Sequence, residues 1–391
     1  MSAPYILYGS PPSMYTGKTR AFMRKSGLAF RERLPADPRY GATIMPAVGK
    51  LWLPVLEAPD GSIVQDTTEI IDFVEAREPG VATCYPQGPR QRIAALIIEL
   101  YGDEGMVRQA MHYRWNFLED NGRFLATNIG RMISPEASLE EAQLMASGPM
   151  THLKGYLPAI GVLPETIPVI EAQFMDLMAV LDAHFLHHPY LFGGRPSIGD
   201  YGLMSPLYAH LGRDPYPAFL MARHADRLHR WVERMNTVEV DTPEFPGLAP
   251  TFLAGDAVPD SLKALLRLIA QDYLPELLAS IDGVNEWLAG NQVTEGAAIF
   301  PRGQRGSLGR INPVIRGVEH PQALRHYALW MLQRVTDAYD GLTAADRASV
   351  DELLAETGLG ALTRHRHLRR IERRDYNEVW GAAATRPARV A

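Results

Sequence analysis

Cysteine is almost absent. Cys84 is the only one in 391 residues. An intrachain disulfide is therefore impossible, as is a metal cluster built on several thiolates, and a single thiol fits a reducing compartment better than an oxidising one. Long apolar runs are missing too. None approaches the roughly 18 residues that a membrane-spanning helix needs, so no membrane partner is expected. The opening Met1-Ser2-Ala3-Pro4-Tyr5 has neither the basic nor the apolar region of a secretory signal, which points to a cytoplasmic protein. Excess positive charge is lacking: the formal net charge is -6, which gives no reason to expect a nucleic-acid partner. The phosphate-loop pattern is missing as well. Gly193-Gly194-Arg195-Pro196 and Gly303-Gln304-Arg305-Gly306-Ser307-Leu308-Gly309 both lack its Gly-Lys-Ser/Thr ending. His187-His188 has no third ligand at metal spacing, so no metal is expected; local capping or packing accounts for the pair.

What is present is a chain 46% hydrophobic, long enough for two or three domains. Residues 1–80 read as a compact α/β unit. Tyr5 to Tyr8 is a strand, Tyr15 to Ser26 a helix closed by Gly27, and Phe30 to Leu34 a second strand. Phe22 and Met23 face the sheet in this reading, with Lys18, Arg24 and Lys25 outside. Residues 37–50 are irregular or weakly helical. Val55-Leu56-Glu57 and Ile63-Val64 flank Pro59-Asp60-Gly61, a hairpin signal. A helix then starts at Asp66 or Thr67 and runs through Glu75.

From residue 87 to 236 the pattern turns all-helical, with helices expected over 89–114, 137–148, 166–185, 199–211 and 220–236. Ser197 and Asp200 form a capping box, a folding signal. Residues 250–391 read as a mainly helical extension. Helices are expected near 258–289, 321–342 and 344–356, with Pro275 kinking or dividing the first. Residues 290–319 form an irregular or short-stranded insert. The run Arg364-His365-Arg366-His367-Leu368-Arg369-Arg370, then Arg373 and Arg374, is read as a solvated helix face, with anion binding as the alternative.

Three phrases carry the functional signal: SPPSMYTGKTR, LPVL and DGSIVQDTTEIIDFVE. With YLFGGRPSIGDYGLMSPLYAHL further on, their order and spacing resemble the glutathione transferases over about the first 236 residues. The resemblance implies an N-terminal thioredoxin-like domain, α/β, followed by an all-α domain; the extension has no place in ordinary members. It also implies glutathione as the bound thiol, a hydrophobic electrophile as substrate, a homodimer and a role in detoxification.

Ser13 stands where many members carry their catalytic Ser or Cys. A helix start exposes unpaired N–H groups and partial positive charge, so it can favour a thiolate, which a hydroxyl can also serve. Serine is equally common as a plain helix cap, so catalysis and capping both stand for Ser13. Tyr15 and Ser10 compete as sulfur donors, and Tyr15 also suits a cavity wall. Met14 and Gly17 depart from the family phrase. Pro54 matches the family's cis proline, with Leu53 offering its backbone to the cysteine part of glutathione. Asp66 and Thr67 match the acidic-serine pair at the γ-glutamyl end, where capping is the competing role. Gln65 is placed at the same end and Lys50 near the glycine carboxylate, unless Lys50 is merely solvated. In the second domain, Tyr113 and Arg114 are placed toward the electrophile or a partner subunit, and Trp115 in the core.

The leading expectation is a glutathione-dependent transferase that activates the thiol for attack on a hydrophobic electrophile. The alternative is a non-catalytic transferase-fold module that binds a ligand or a protein.

Overall fold

The computed structural model describes residues 3–240, 242–304 and 306–383. Four short strands, β1 (Tyr5–Tyr8), β2 (Phe30–Arg33), β3 (Val55–Glu57) and β4 (Ile63–Gln65), form one sheet in the order β2-β1-β3-β4. β1 runs parallel to β2 and antiparallel to β3, which pairs antiparallel with β4. Helix α1 (Met14–Lys25) connects β1 to β2. A π turn (Tyr40–Ile44) and the short α2 (Met45–Val48) precede β3. The β3–β4 turn uses Gly61 at φ +85° and the Asp60 carboxylate, which accepts the Ser62 N–H at 3.0 Å. Helix α3 (Thr67–Arg77) closes this thioredoxin-like unit, packing Ile70, Ile71 and Val74 fully inside.

The second unit is helical. It comprises α4 (Pro89–Leu100), a π turn (Tyr101–Gly105), α5 (Val107–Trp115), α6 (Leu118–Ile133), α7 (Leu139–Lys154), α8 (Ile167–Phe185), α9 (Ile198–Ala209), α10 (Pro215–His224) and α11 (Asp226–Met235). The helix expected over 89–114 is thus interrupted, and the one expected over 220–236 is two. α6 was not foreseen; it pairs with α7 around a small core of its own that includes Trp115, Leu125, Ile129 and Ala146. Ser197 caps α9: its Oγ accepts the Asp200 N–H, and Asp200 accepts the Ser197 N–H at 2.8 Å.

The extension contributes α12 (Asp260–Asp272), α13 (Leu274–Gly290), the two-residue strands β5 (Arg310–Ile311), β6 (Val314–Ile315), β7 (Val318–Glu319) and β8 (Gln322–Ala323), α14 (Tyr327–Asp340) and α15 (Ala344–Thr357). The hairpin β9 (Arg369–Arg374) and β10 (Asn377–Ala383) follows. α12 and α13 break at Tyr273, with Pro275 in the first turn of α13, where its missing N–H costs nothing. The basic run is therefore not a solvated helix face. It enters β9, where Ile371 is fully buried and Arg373 points inward. Residues 384–391 lie outside the described residues.

The extension has no separate core. One continuous apolar cluster runs from Tyr5 and Leu7 through Ile97 and Leu207 to Leu332, Leu354 and Trp380. α4 lies at its centre, with α9 on one side and α12, α14 and α15 against the other. None of the helices, among the described residues, is long and apolar enough to cross a membrane.

Candidate functional site

Strand register gathers the site. Tyr8 pairs with Val55, and Val55 pairs with Gln65. The end of β1, the start of β3 and the end of β4 therefore meet at one edge of the sheet. The turn before α1, the Leu53–Pro54 peptide and the Asp66–Thr67 helix start all emerge there. The Leu53–Pro54 peptide is cis. Asp66 has φ 93° and ψ 138°, a backbone region that costs a non-glycine residue roughly 1–3 kcal/mol. Its carboxylate caps α3 by accepting the Thr68 N–H at 2.9 Å.

These elements enclose a cavity of about 300 Å³. Tyr15, Lys50, Leu53, Pro54, Gln65, Asp66 and Thr67 all line it. Ser13 does not; its Oγ accepts the Thr16 N–H at 3.2 Å as the α1 cap. Tyr113 and Arg114 also lie elsewhere. Tyr113 is buried in a stack with Phe117 and Tyr216. Arg114 grips Asp214 with two donors (2.7 and 2.9 Å) and donates to the Pro12 carbonyl at 2.8 Å. It thereby braces the turn ahead of Ser13.

Lys18, expected outside, is fully buried. Its ammonium donates to Asp103 at 2.5 Å, Glu99 at 2.7 Å and Thr68 at 3.0 Å. Burial works against the charge, but the two carboxylates hold the lysine pKa above its ordinary value. Burial likewise raises the Asp103 carboxyl, against the pull of Lys18. The π turn puts Asp103 on Lys18 and turns the next residue, Glu104, to the cavity. Tyr15 donates toward the Asp103 carbonyl at 3.4 Å and Glu104 Oε1 at 3.5 Å.

The remaining wall comes from the extension. Tyr327 donates to Asp66 Oδ2 at 2.6 Å, and Arg373 donates to Gln65 Oε1 at 2.7 Å. Arg325 pairs with Glu104 at 3.0 Å and with Glu276 at 3.2 Å. Lys50 lies over the Trp52 ring and donates to the Gln304 carbonyl at 3.3 Å. Phe300, His326 and Glu378 complete this side. Burial raises the Glu104 carboxyl even beside Arg325, while Glu104 and Glu276 hold Arg325 protonated against its own burial. None of these extension residues was singled out from the sequence as a site residue, although Arg373 belongs to the basic run for which anion binding was the alternative.

Among the described residues, the lining carries three cations (Lys50, Arg325, Arg373) and three carboxylates (Asp66, Glu104, Glu378), with the α3 helix start between them. Such a set suits a small ligand bearing both carboxylates and an ammonium. Residues 7–82 match the family model of the glutathione S-transferase N-terminal domain, and residues 151–234 match that of the C-terminal domain. Over these two stretches the chain carries the N- and C-terminal domains of the glutathione S-transferases. No curated protein matches it. Among solved structures, it is similar to the glutathione transferase GSTFuA3 of Phanerochaete chrysosporium, at 17% identity over 61% of this chain and 98% of that one (TM-score 0.43). The beta-etherase LigF of Sphingobium sp. gives 19% identity over 62% and 97% (TM-score 0.40). A glutathione S-transferase of Methylobacterium radiotolerans, in complex with glutathione sulfonate, gives 20% over 64% and 97% (TM-score 0.33).

Proposed function

We propose that this family member is a glutathione-dependent transferase that binds the thiol peptide in the cavity at the sheet edge and activates it for attack on a hydrophobic electrophile. The observation that carries the reading is the convergence of Tyr15, Lys50, Leu53, Pro54, Gln65, Asp66 and Thr67 on one cavity, from four separate stretches of chain. Glutathione supplies a nucleophilic sulfur; the chain supplies position and charge. Asp66 offers a carboxylate to the ligand's ammonium, and Thr67 with the α3 start offers donors to the adjacent carboxylate. Lys50 faces the carboxylate at the other end. Holding sulfur and electrophile together removes much of the entropic cost of their meeting. Ser13, as an α1 cap with its hydroxyl proton still available, is carried as a donor to the sulfur, and Tyr113 and Arg114 as residues behind the electrophile's side. A homodimer, a cytoplasmic location, a role in detoxification and a division at 1–80, 87–236 and 250–391 belong to the same reading.

The second reading is a non-catalytic binding module. It is favoured by the hydrogen bond from Tyr327 that already occupies Asp66 Oδ2, and by the absence of Ser13 from the cavity wall. Calorimetric titration with reduced glutathione, beside the folded Asp66→Ala/Thr67→Ala double variant, tests the first reading. Saturable binding that weakens at least tenfold in the variant is expected. A folded wild-type chain that ignores millimolar glutathione would leave the second reading standing.

A further inference from the structure

His326 lines the cavity from the start of α14. It is 8% exposed, and among the described residues neither Nδ1 nor Nε2 has a partner at ordinary hydrogen-bond distance. It stands at the N-cap position of α14, yet its side chain makes no capping bond. Glu378 Oε2 lies 3.9 Å from Nε2, and Phe300 packs beside the ring at 5.4 Å between ring centres. A buried polar group left unpaired costs roughly 1–3 kcal/mol, so a phenylalanine or leucine would serve packing better. The cost is recovered if a ligand completes the group.

The surroundings say what that completion is. Among the described residues the charged lining groups are Glu378, Lys50, Arg373, Asp66, Arg325 and Glu104, three of each sign. Glu69 and Glu276 stand directly behind Arg373 and Arg325 and add negative charge. Burial pulls the Glu378 carboxyl up, but His326, Arg373 and Lys50 hold it below its ordinary value, so it faces the ring as a carboxylate. A neutral imidazole keeps an open lone pair on one ring nitrogen, which suits it to accept a proton. The other candidates are placed differently: Ser13 lies outside the lining, and Tyr15 is directed to Asp103 and Glu104.

We propose that His326, supplied by the extension, is the proton acceptor for the thiol bound in this cavity, with Glu378 stabilising the imidazolium. The inference rests on the glutathione reading. The S–H bond breaks, its electron pair stays on sulfur, and the proton passes to an imidazole nitrogen. When the sulfur bonds to the electrophilic carbon, the electron pair displaced from that carbon takes the proton back from the imidazolium. Nothing else is consumed.

The test is a proton count on the full chain. Reduced glutathione and S-methylglutathione, which has no thiol, are titrated at neutral pH in buffers of different ionisation heat, with the ultraviolet thiolate band followed in parallel. The band should appear with reduced glutathione, and both ligands should release the same number of protons, because the thiol proton stays on the protein. In His326→Gln, S-methylglutathione serves as the variant's own reference for binding and proton release. Reduced glutathione should then either release one proton more than S-methylglutathione or show no thiolate band, and kcat should fall roughly 10²- to 10⁴-fold. Wild-type thiolate formed with one extra proton released, or binding with no thiolate at all, overturns the role of His326. If neither ligand binds the folded wild type, the glutathione reading itself has failed and takes the inference with it. Release of the extra proton in wild type overturns the proposal on its own, even if the variant does not fold.

Discussion

Buried ionisable side chains decide how individual residues of this protein respond to change. His184, on α8, contacts Ser261 Oγ through Nδ1 at 2.8 Å and the Tyr190 carbonyl through Nε2 at 3.4 Å. Burial, and then neighbouring His188, push its pKa down to about 3. An unfolded histidine titrates near 6.5, so between these values the unfolded chain binds a proton that the folded chain refuses. The stability His184 confers is fully present above pH 6.5 and is lost as pH falls toward 3, by up to about 1.4 kcal/mol per pH unit. In urea unfolding, the gap between wild type and His184→Gln should therefore narrow from neutrality to about pH 5; a constant gap would contradict this account. Lys18 shows why such residues are hard to read from a sequence. Helical spacing finds one apolar face, but α1 is covered on a second side by α9, so a lysine on the apparently open face is sealed in. Asp66, Thr67, Leu53 and Pro54 were singled out by the family resemblance, and the strand register brings them to one cavity.

Among the elements, the π turn between α4 and α5 matters most for the site, and it has no mark in the sequence. Apolar spacing runs on through 89–114, so a single helix was expected. What permits the actual path is backbone contact: a Cβ on Gly202 would lie 2.5 Å from Glu99 Cα, and one on Gly102 would lie 2.4 Å from the Gly202 carbonyl. Neither contact yields to a side-chain rotation. Gly202→Ala should force α9 away from α4, cost about 1–3 kcal/mol or more, and loosen Glu99 and Asp103 from Lys18. An unchanged thermal midpoint would refute that. The β9–β10 hairpin was hidden for a different reason. Its two-residue turn places Asp375 and Tyr376 at φ 50° and 64°, a conformation usually announced by Asn-Gly. Without that signal, and with six arginines between positions 364 and 374, the run read as a charged helix. Capping was plainer: Ser197 and Asp200 marked the start of α9 correctly.

At the scale of the whole molecule, the two family domains were legible from their phrases, and the extension was legible as helices without an address. Helix faces alone do not say which partner they meet, and the contacts that seat the extension join residues more than 200 positions apart. Arg334 pairs with Asp72 at 2.6 Å, and Tyr376 donates to the Ile63 carbonyl at 3.0 Å. Met331, Leu332, Leu353 and Leu354 are all buried. At about 1.5–3 kcal/mol each, these four alone rival a typical net stability of about 5–15 kcal/mol. A chain ending at residue 236 should therefore be insoluble or unfolded when its far-ultraviolet spectrum and solubility are compared with the full chain. A soluble, cooperatively melting fragment would show that α4 needs no cover.

The burial of α4 from both sides bears on ancestry and exchange. A gene fusion that grafted residues 250–391 onto another family member would deliver α14 to a helix surface shaped for solvent or for something else. Tyr327 and Arg373 would face whatever stood in place of Asp66 and Gln65. Neither half is a portable part. The two halves of this protein must vary together, substitution answering substitution across a seam that divides one core and one cavity.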